Sequence, residues 1–197
     1  MGHVKKALGP NTRAIHAGAH PDPTTGAVAP PIYQTSTFAF ADCRQGAARF
    51  AGEEDGYIYT RMGNPTIARL EEAVAELEGG AGGLATSSGM AALCTVSFAL
   101  LNAGAPLIGT SSVYGPSRVV MERDFSRFGV SSDFVDSSDL DAVREALRPE
   151  TRLIFIETPA NPTIVLSDIA AIAAIAHDHG ALLMVDNTFA TPVLQRP

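Results

Sequence analysis

The sequence has little of several residue types on which large classes of proteins depend. It contains only two cysteines, Cys43 and Cys94, which lie far apart; this argues against a disulfide scaffold and favours a reducing compartment. Acidic residues outnumber basic ones, 21 against 14, for a net charge of -7, which argues against nucleic acid and anionic membranes as partners. The longest apolar runs, such as residues 91–101, are shorter than the roughly 20 residues that span a bilayer. No secretory signal is recognisable, so we expect a soluble, cytoplasmic protein.

The first part of the chain lacks helical periodicity. Prolines at positions 21, 23, 30 and 31 interrupt residues 1–58, and the Thr, Ser and Gly residues between them favour turns and extended segments. We therefore predict an irregular N-terminal arm over residues 1–58. Because so long a loop is unusual inside a compact domain, we expect the arm to contact a neighbouring subunit.

Residues 59–197 alternate between helical and strand patterns. Helices are predicted after an Asn64 cap, over residues 90–101, 117–128 and 140–147, and from Ser167 to Gly180. Short apolar strands are predicted over residues 107–109, 134–135, 153–156 and 181–185. Ser138 and Ser167 are the expected N-caps of the last two helices. Strands without polar alternation between amphipathic helices indicate an α/β fold with a mainly parallel sheet covered on both faces.

An unusual segment from Gly79 to Met121 contains no acidic residue. It includes residues 86–90, with the sequence Thr-Ser-Ser-Gly-Met, immediately before a predicted helix. Small hydroxyl residues and a glycine at a helix start expose backbone amides at the positive end of the helix dipole, which suits a phosphate group. An ordinary serine N-cap is the alternative interpretation.

Other nucleotide sites fit the sequence less well. Residues 80–85 match the relaxed dinucleotide pattern G-x-G-x-x-A, but they follow a helix instead of a strand, and no acid lies about 20 residues further on. A nucleotide P-loop would need a Gly-Lys-Ser/Thr sequence, which is absent.

Two acids, Glu157 and Asp186, stand at the carboxyl ends of predicted strands, where ligands bind in such folds. Asp186 follows a strongly apolar strand, so burying its carboxylate costs free energy unless a cation or hydrogen-bond donors lie beside it. It either caps the following turn or serves as counter-ion to a protonated ring nitrogen, as an aspartate does for pyridoxal phosphate (PLP).

Four motifs occur in a fixed order: Tyr59-Thr60-Arg61 with Asn64-Pro65-Thr66, Ser87-Ser88-Gly89-Met90-Ala91, Glu157-Thr158-Pro159-Ala160-Asn161-Pro162, and Val185-Asp186-Asn187-Thr188. From about Thr12 to Pro197 the chain resembles the Cys/Met-metabolism family of PLP enzymes. That family includes cystathionine γ-synthase, cystathionine γ-lyase, O-acetylhomoserine sulfhydrylase and methionine γ-lyase. Residues 50–54 and 77–80 look most similar to the methionine γ-lyase branch.

The resemblance implies a fold-type I, PLP-dependent transferase-like fold in which residues 59–197 form the first part of the PLP-binding domain. It also implies a cofactor site made of residues from several elements: Tyr59, Arg61, Ser88, Gly89, Met90, Tyr114, Asn161, Asp186 and Thr188. In the family, amides matching Gly89 and Met90 hold the phosphate, and residues matching Tyr59 and Arg61 reach it from the neighbouring subunit.

The resemblance assigns further roles around the ring. Tyr114 stacks on the ring and is the candidate catalytic acid–base group. Asp186 keeps the ring nitrogen protonated, Asn161 lies near the ring hydroxyl, and Thr188 lies beneath the ring. Glu157 is expected to act only indirectly, and no metal site is expected.

The activity implied is that of a PLP-dependent carbon–sulfur lyase. Such an enzyme would convert methionine or a related sulfur amino acid to a thiol, 2-oxobutanoate and ammonia, in a homotetramer built as a dimer of dimers with shared active sites. Pro116 stands where methionine γ-lyases carry cysteine, so cystathionine γ-lyase activity and γ-replacement, as in cystathionine γ-synthase or O-acetylhomoserine sulfhydrylase, stay open.

The lysine that binds the cofactor covalently in the family lies beyond the position of Pro197. The only lysines of this chain, Lys5 and Lys6, sit in an N-terminal extension and are not expected to replace it. We therefore expect the chain to be the N-terminal part of a longer enzyme. A truncated, non-catalytic paralogue is the remaining alternative.

Overall fold

The computed structural model describes residues 9–197, which form two compact units divided between Ala85 and Thr86. We call residues 9–85 the N-terminal unit and residues 86–197 the sheet unit. Lys5 and Lys6 lie outside the described residues. The predicted division of the chain into residues 1–58 and 59–197 stays a prediction.

The N-terminal unit contains three helices: α1 (Pro10–His16), α2 (Cys43–Ala51) and α3 (Pro65–Glu78). The prediction that residues 1–58 contain no helix is therefore wrong for α1 and α2, although the segment between them is irregular, with turns and bends. Local end signals explain α2, since Asp42 accepts a hydrogen bond from the Gln45 amide at 2.8 Å and Gly52 ends the helix in the left-handed conformation. Helix α3 begins after Asn64, as predicted.

The sheet unit is built on four strands: β1 (Pro106–Thr110), β2 (Ser131–Val135), β3 (Leu153–Glu157) and β4 (Leu182–Asp186). All neighbouring strands pair in parallel, in the order β2-β1-β3-β4. Its helices are α4 (Gly89–Leu100), α5 (Gly115–Val119), α6 (Leu140–Ala146), α7 (Ile169–His179) and α8 (Thr191–Leu194). After α5 the chain continues through a π-helical turn, Val120–Asp124, and a 3₁₀ turn, Phe125–Phe128.

Two apolar clusters cover the two faces of the sheet. One contains Leu107, Leu153 and Phe155 of the strands together with Leu93, Met121 and Phe125 of the helices. The other contains Ile108, Ile154 and Ile156 with Val143, Ile172 and Ala176. Because successive side chains of a strand point to opposite faces, burial of both faces explains why these strands show no polar alternation.

Burial differs between central and edge strands. Strands β1 and β3 are buried along their whole length. Strand β4 is only half-buried, because among the described residues it pairs with one neighbour alone. The expectation of a buried strand over residues 181–185 therefore holds only in part.

Two predicted helix caps are shifted by one residue. Asp139 caps α6 and Asp168 caps α7, each accepting a backbone amide of the first turn at 2.9 Å. The predicted caps, Ser138 and Ser167, lie one position too early to reach those amides, and Ser167 is instead buried. An aspartate that directly precedes the helix supplies the acceptor that capping requires.

The strand order indicates at which edge of the sheet a ligand would bind. Strands β1 and β3 are neighbours, and the chain leaves them toward opposite sides, to β2 and to β4. In a parallel α/β sheet the carboxyl ends of two such strands open a crevice. No helix of the described residues is long and apolar enough to cross a membrane.

Candidate functional site

A pocket of about 290 Å³ lies in the sheet unit, next to the carboxyl ends of the strands. Seven of the residues predicted for the cofactor site line it: Ser88, Gly89, Met90, Tyr114, Asn161, Asp186 and Thr188. These residues come from four places: the start of α4, the segment after β1, the segment after β3, and the end of β4 with the residues that follow it. The fold thus brings together residues that are separated by up to about 100 positions in the sequence.

The start of α4 contributes backbone amides to the pocket. Ser88 is the N-cap, and its Oγ accepts a hydrogen bond from the Ala91 amide at 3.1 Å. The first amides of a helix have no carbonyl partner within the helix, and the serine satisfies only that of Ala91. The amides of Gly89 and Met90 therefore remain as donors suited to an anion. The serine cap and the anion site are compatible, so the two interpretations left open by the sequence do not exclude each other.

Asp186 stands at the end of β4. Its Oδ1 accepts hydrogen bonds from the Thr188 amide at 3.0 Å and from the Thr188 hydroxyl at 2.5 Å. The turn-capping role is therefore present, and both of these donors use the same oxygen. The second oxygen, Oδ2, takes neither of them.

Glu157 also lines the pocket and is the register partner of Asp186 across β3 and β4. It is 5% exposed. Its Oε2 accepts the Tyr114 amide at 2.8 Å, and its Oε1 accepts the Asn161 amide at 2.6 Å. Burial raises the pKa of the Glu157 carboxyl above its ordinary value and the nearby Asp186 raises it further, while the two amide hydrogen bonds act in the opposite direction.

Tyr114 follows β1 and directly precedes α5. Its side chain is 44% exposed, so the ring is part of the pocket wall and is not a core residue. An exposed aromatic face beside a pocket can stack on a planar ligand. Its backbone amide donates a hydrogen bond to Glu157, the last residue of β3.

Four further residues line the pocket that were not predicted for the cofactor site: Leu93, Ser117, Pro159 and Phe189. Ser117 is buried, and its hydroxyl donates to the Met90 sulfur at 3.6 Å. It lies three residues after Tyr114, a spacing that places two helical side chains on one face and could have indicated it. Phe189 directly follows Thr188, and nothing in its local pattern distinguishes it.

Tyr59 and Arg61 lie in the N-terminal unit and are near each other. The Arg61 guanidinium carbon is 5.4 Å from the centre of the Tyr59 ring, and both residues are exposed. Asn64 anchors their turn, donating hydrogen bonds from Nδ2 to the Tyr33 carbonyl at 3.0 Å and to the Thr60 hydroxyl at 3.1 Å. An exposed arginine is suited to phosphate binding, since its guanidinium can bind two phosphate oxygens at once. Across residues 9–197, no group of three or more His, Cys, Asp or Glu side chains is placed to hold a metal ion.

Comparison with known proteins identifies the family. Residues 11–197 match the family described as Cys/Met metabolism PLP-dependent enzyme. The chain is 47% identical to L-methionine gamma-lyase of Pseudomonas deceptionensis, over 100% of this chain and 50% of that protein. It is also 47% identical to cystathionine gamma-synthase of Mycobacterium bovis, over 96% of this chain and 47% of that protein.

A solved structure shows the same fold. Cystathionine gamma-lyase from Lactobacillus plantarum, complexed with L-serine, matches with a TM-score of 0.88 and 40% identity, over 96% of this chain and 47% of that one. The fold-type I prediction is thereby confirmed. The chain spans about half the length of the curated relatives it matches. Because the family match covers residues 11–197, nearly the whole of this chain, the chain belongs to the Cys/Met metabolism family of PLP-dependent enzymes.

Proposed function

We propose that this chain provides the PLP-binding half of a carbon–sulfur lyase. The reaction is α,γ-elimination, in which methionine and water give methanethiol, 2-oxobutanoate and ammonia. The observation that supports it most is the single pocket lined both by the amide-bearing start of α4 and by the Asp186 carboxylate. A small aromatic ligand with a phosphate at one end and a protonated nitrogen at the other needs these two features together.

The pocket residues fit PLP group by group. We assign the phosphate to the Gly89 and Met90 amides, which Ser88 leaves without a partner. We assign the ring nitrogen to Asp186, through the Oδ2 oxygen that does not bind Thr188. The ring lies against Tyr114 in this assignment, and Asn161 approaches its hydroxyl.

Each assigned residue then has a defined chemical task. PLP, when bound, supplies an electron sink for the negative charge that develops at the substrate carbon atoms. Asp186 holds the proton on the ring nitrogen, which that task requires. Tyr114 is the acid that gives a proton to the departing sulfur. The base that removes the substrate protons is a lysine, which we place beyond Pro197.

We assign Tyr59 and Arg61 to the phosphate of a neighbouring subunit, in a homotetramer arranged as a dimer of dimers. Co-expression of an Arg61→Ala subunit with an Asp186→Ala subunit tests this. Each single variant is expected to be inactive, whereas random hybrid dimers contain one intact site and should recover about a quarter of wild-type activity. If the mixture stays as inactive as its parents, the sites are not shared.

The main test uses the complete protein encoded by the gene of this chain. We expect a visible absorption band from lysine-bound PLP and release of thiol from methionine. Asp186→Asn should lower kcat about a hundred-fold or more, because an amide does not hold the ring proton. Asp136→Asn is a matched control: Asp136 follows β2 and accepts the Ser138 amide and hydroxyl through one oxygen, as Asp186 does with Thr188, but it does not line the pocket. Absence of both the band and thiol release from wild-type protein would refute the proposal.

A second candidate function is γ-replacement or the cleavage of cystathionine. It is favoured by Pro116, which replaces the cysteine expected of a methionine γ-lyase, and by the equal identity to a cystathionine gamma-synthase. Turnover of methionine, cystathionine and an O-acylated homoserine by the same preparation separates these reactions. A protein that binds PLP but turns over none of them would favour the non-catalytic paralogue.

A further inference from the structure

Glu157 is the only charged side chain among the buried residues of the range 9–197. It follows the apolar residues of β3, where an uncharged side chain would fit at lower cost. Burying a carboxylate without a cation is unfavourable unless donors satisfy it. A buried acid in this position therefore needs an explanation other than packing.

The hydrogen bonds of Glu157 connect the two sides of the pocket. Oε2 binds the amide of Tyr114, which follows β1, and Oε1 binds the amide of Asn161, which follows β3. Each carboxylate oxygen thus fixes the main chain at one residue of the proposed cofactor site. The distances of 2.8 and 2.6 Å are those of charge-assisted hydrogen bonds.

This arrangement holds the carboxylate to the scaffold through both oxygens. Each oxygen accepts one backbone amide and keeps one further acceptor position, because a carboxylate oxygen can accept two hydrogen bonds. The same two bonds make the carboxylate a rigid spacer between Tyr114 and Asn161.

We propose that Glu157 is a positioning residue: its carboxylate sets the place of the Tyr114 ring and of Asn161 against PLP. This inference rests on the proposed PLP site and adds to it the group that orders two of its residues. The charged group that faces Glu157 across the sheet is Asp186, its register partner on β4, and Tyr114 is the titratable residue that it contacts on the β1 side.

The test compares three variants of the complete protein. Glu157→Gln can accept only one of the two amides, since its other end is a donor. Glu157→Asp keeps the charge and both acceptors but is one carbon shorter, so it cannot span the two amides. Thr158→Val is the matched control: Thr158 is buried beside Glu157, and it accepts the Ser167 amide at 3.0 Å without lining the pocket.

The readouts are the PLP dissociation constant and the visible circular dichroism of the bound cofactor. Loss of one charge-assisted hydrogen bond corresponds to about ten-fold weaker PLP binding, expected for both Glu157 variants together with altered dichroism. Thr158→Val should lower stability yet leave PLP affinity within about two-fold of wild type. In a Tyr114→Ala background, the effect of Glu157→Gln on the dichroism should shrink, because the ring it positions is gone.

The outcomes separate this inference from the proposed function. Wild-type protein without bound PLP would overturn the proposed function and this inference with it. Normal PLP binding by wild type, with unchanged affinity and dichroism in Glu157→Gln, would overturn the positioning role alone. Wild-type PLP affinity and dichroism in Glu157→Asp would also overturn the positioning role. They would show that a negative charge is sufficient without the hydrogen bonds to both amides.

Discussion

Asn64 performs two structural tasks, and replacing it tests how the turn that contains Tyr59 and Arg61 is held. Its Oδ1 accepts the Thr66 amide at 2.8 Å and caps α3. Its Nδ2 donates to Tyr33 and Thr60. The residue is 3% exposed, so water cannot take the place of the lost side chain without rearrangement. Asn64→Ala removes all three hydrogen bonds at once.

The expected cost follows from these contacts. Loss of the cap costs about 1 kcal/mol, and each of the two donated hydrogen bonds about 0.5–1.5 kcal/mol. Asn64→Ala should therefore lower the free energy of unfolding by about 2–4 kcal/mol. Asp168→Ala is the matched control, because Asp168 caps α7 through a single acceptor contact and is exposed, so it should cost only about 1 kcal/mol.

Urea unfolding of both variants and the parent protein measures these costs, provided the dependence on urea concentration is unchanged. Asn64→Ser, which can still cap α3 but cannot reach Tyr33, should recover about 1 kcal/mol. The reasoning fails if Asn64→Ala costs no more than Asp168→Ala. In that case the two donated hydrogen bonds do not hold the turn.

Two further predictions concern the sheet unit. Gly109→Ala places a methyl group 2.7 Å from the Phe134 ring inside the buried strand β1, which should lower the free energy of unfolding by about 1–3 kcal/mol. Calorimetry should show that the double variant Gly109→Ala/Phe134→Leu regains part of this stability. If the effects of the two substitutions on stability simply add, the methyl group and the ring do not clash. The raised pKa of the Glu157 carboxyl means that the folded state binds its proton more tightly than the unfolded state does. The stability of the cofactor-free wild type relative to Glu157→Gln should therefore be greatest below the ordinary pKa and fall as pH rises through the folded pKa. Urea unfolding at a series of pH values measures this, and a difference that grows with pH would contradict burial beside Asp186 as the main cause.

Much of the fold could be predicted from the sequence because local signals and burial agree there. Helix α3 has an asparagine before it and a glycine after it, and the buried strands are continuous apolar runs. The prolines near α1 and α2 favour an irregular segment, but for α2 the Asp42 and Gly52 end signals agree with the observed helix. The order β2-β1-β3-β4 depends on contacts between distant segments, and no local pattern contains that information.

The candidate site was predictable to the extent that its residues stand at element ends. A glycine at a helix start and an acid after an apolar strand indicate an anion site and a cation site, and both line the pocket. The bond between Glu157 and the Tyr114 amide could not be predicted, since a backbone amide in a loop has no residue type that marks it. Whether Tyr59 and Arg61 act on a neighbouring subunit stays a prediction for the hybrid experiment.

Two carboxylates end neighbouring strands at this pocket, and the strand pattern alone does not distinguish them. Their hydrogen bonds distinguish them. Glu157 uses both oxygens on backbone amides, whereas the two donors that meet Asp186 share Oδ1. A carboxylate oxygen can accept two hydrogen bonds, so each Glu157 oxygen has one position filled by an amide, whereas neither of the two Thr188 bonds uses Asp186 Oδ2. We therefore expect Asp186 to be the better partner for a protonated ring nitrogen. The division of labour between two otherwise similar acids thus follows from how many of their oxygens the scaffold occupies.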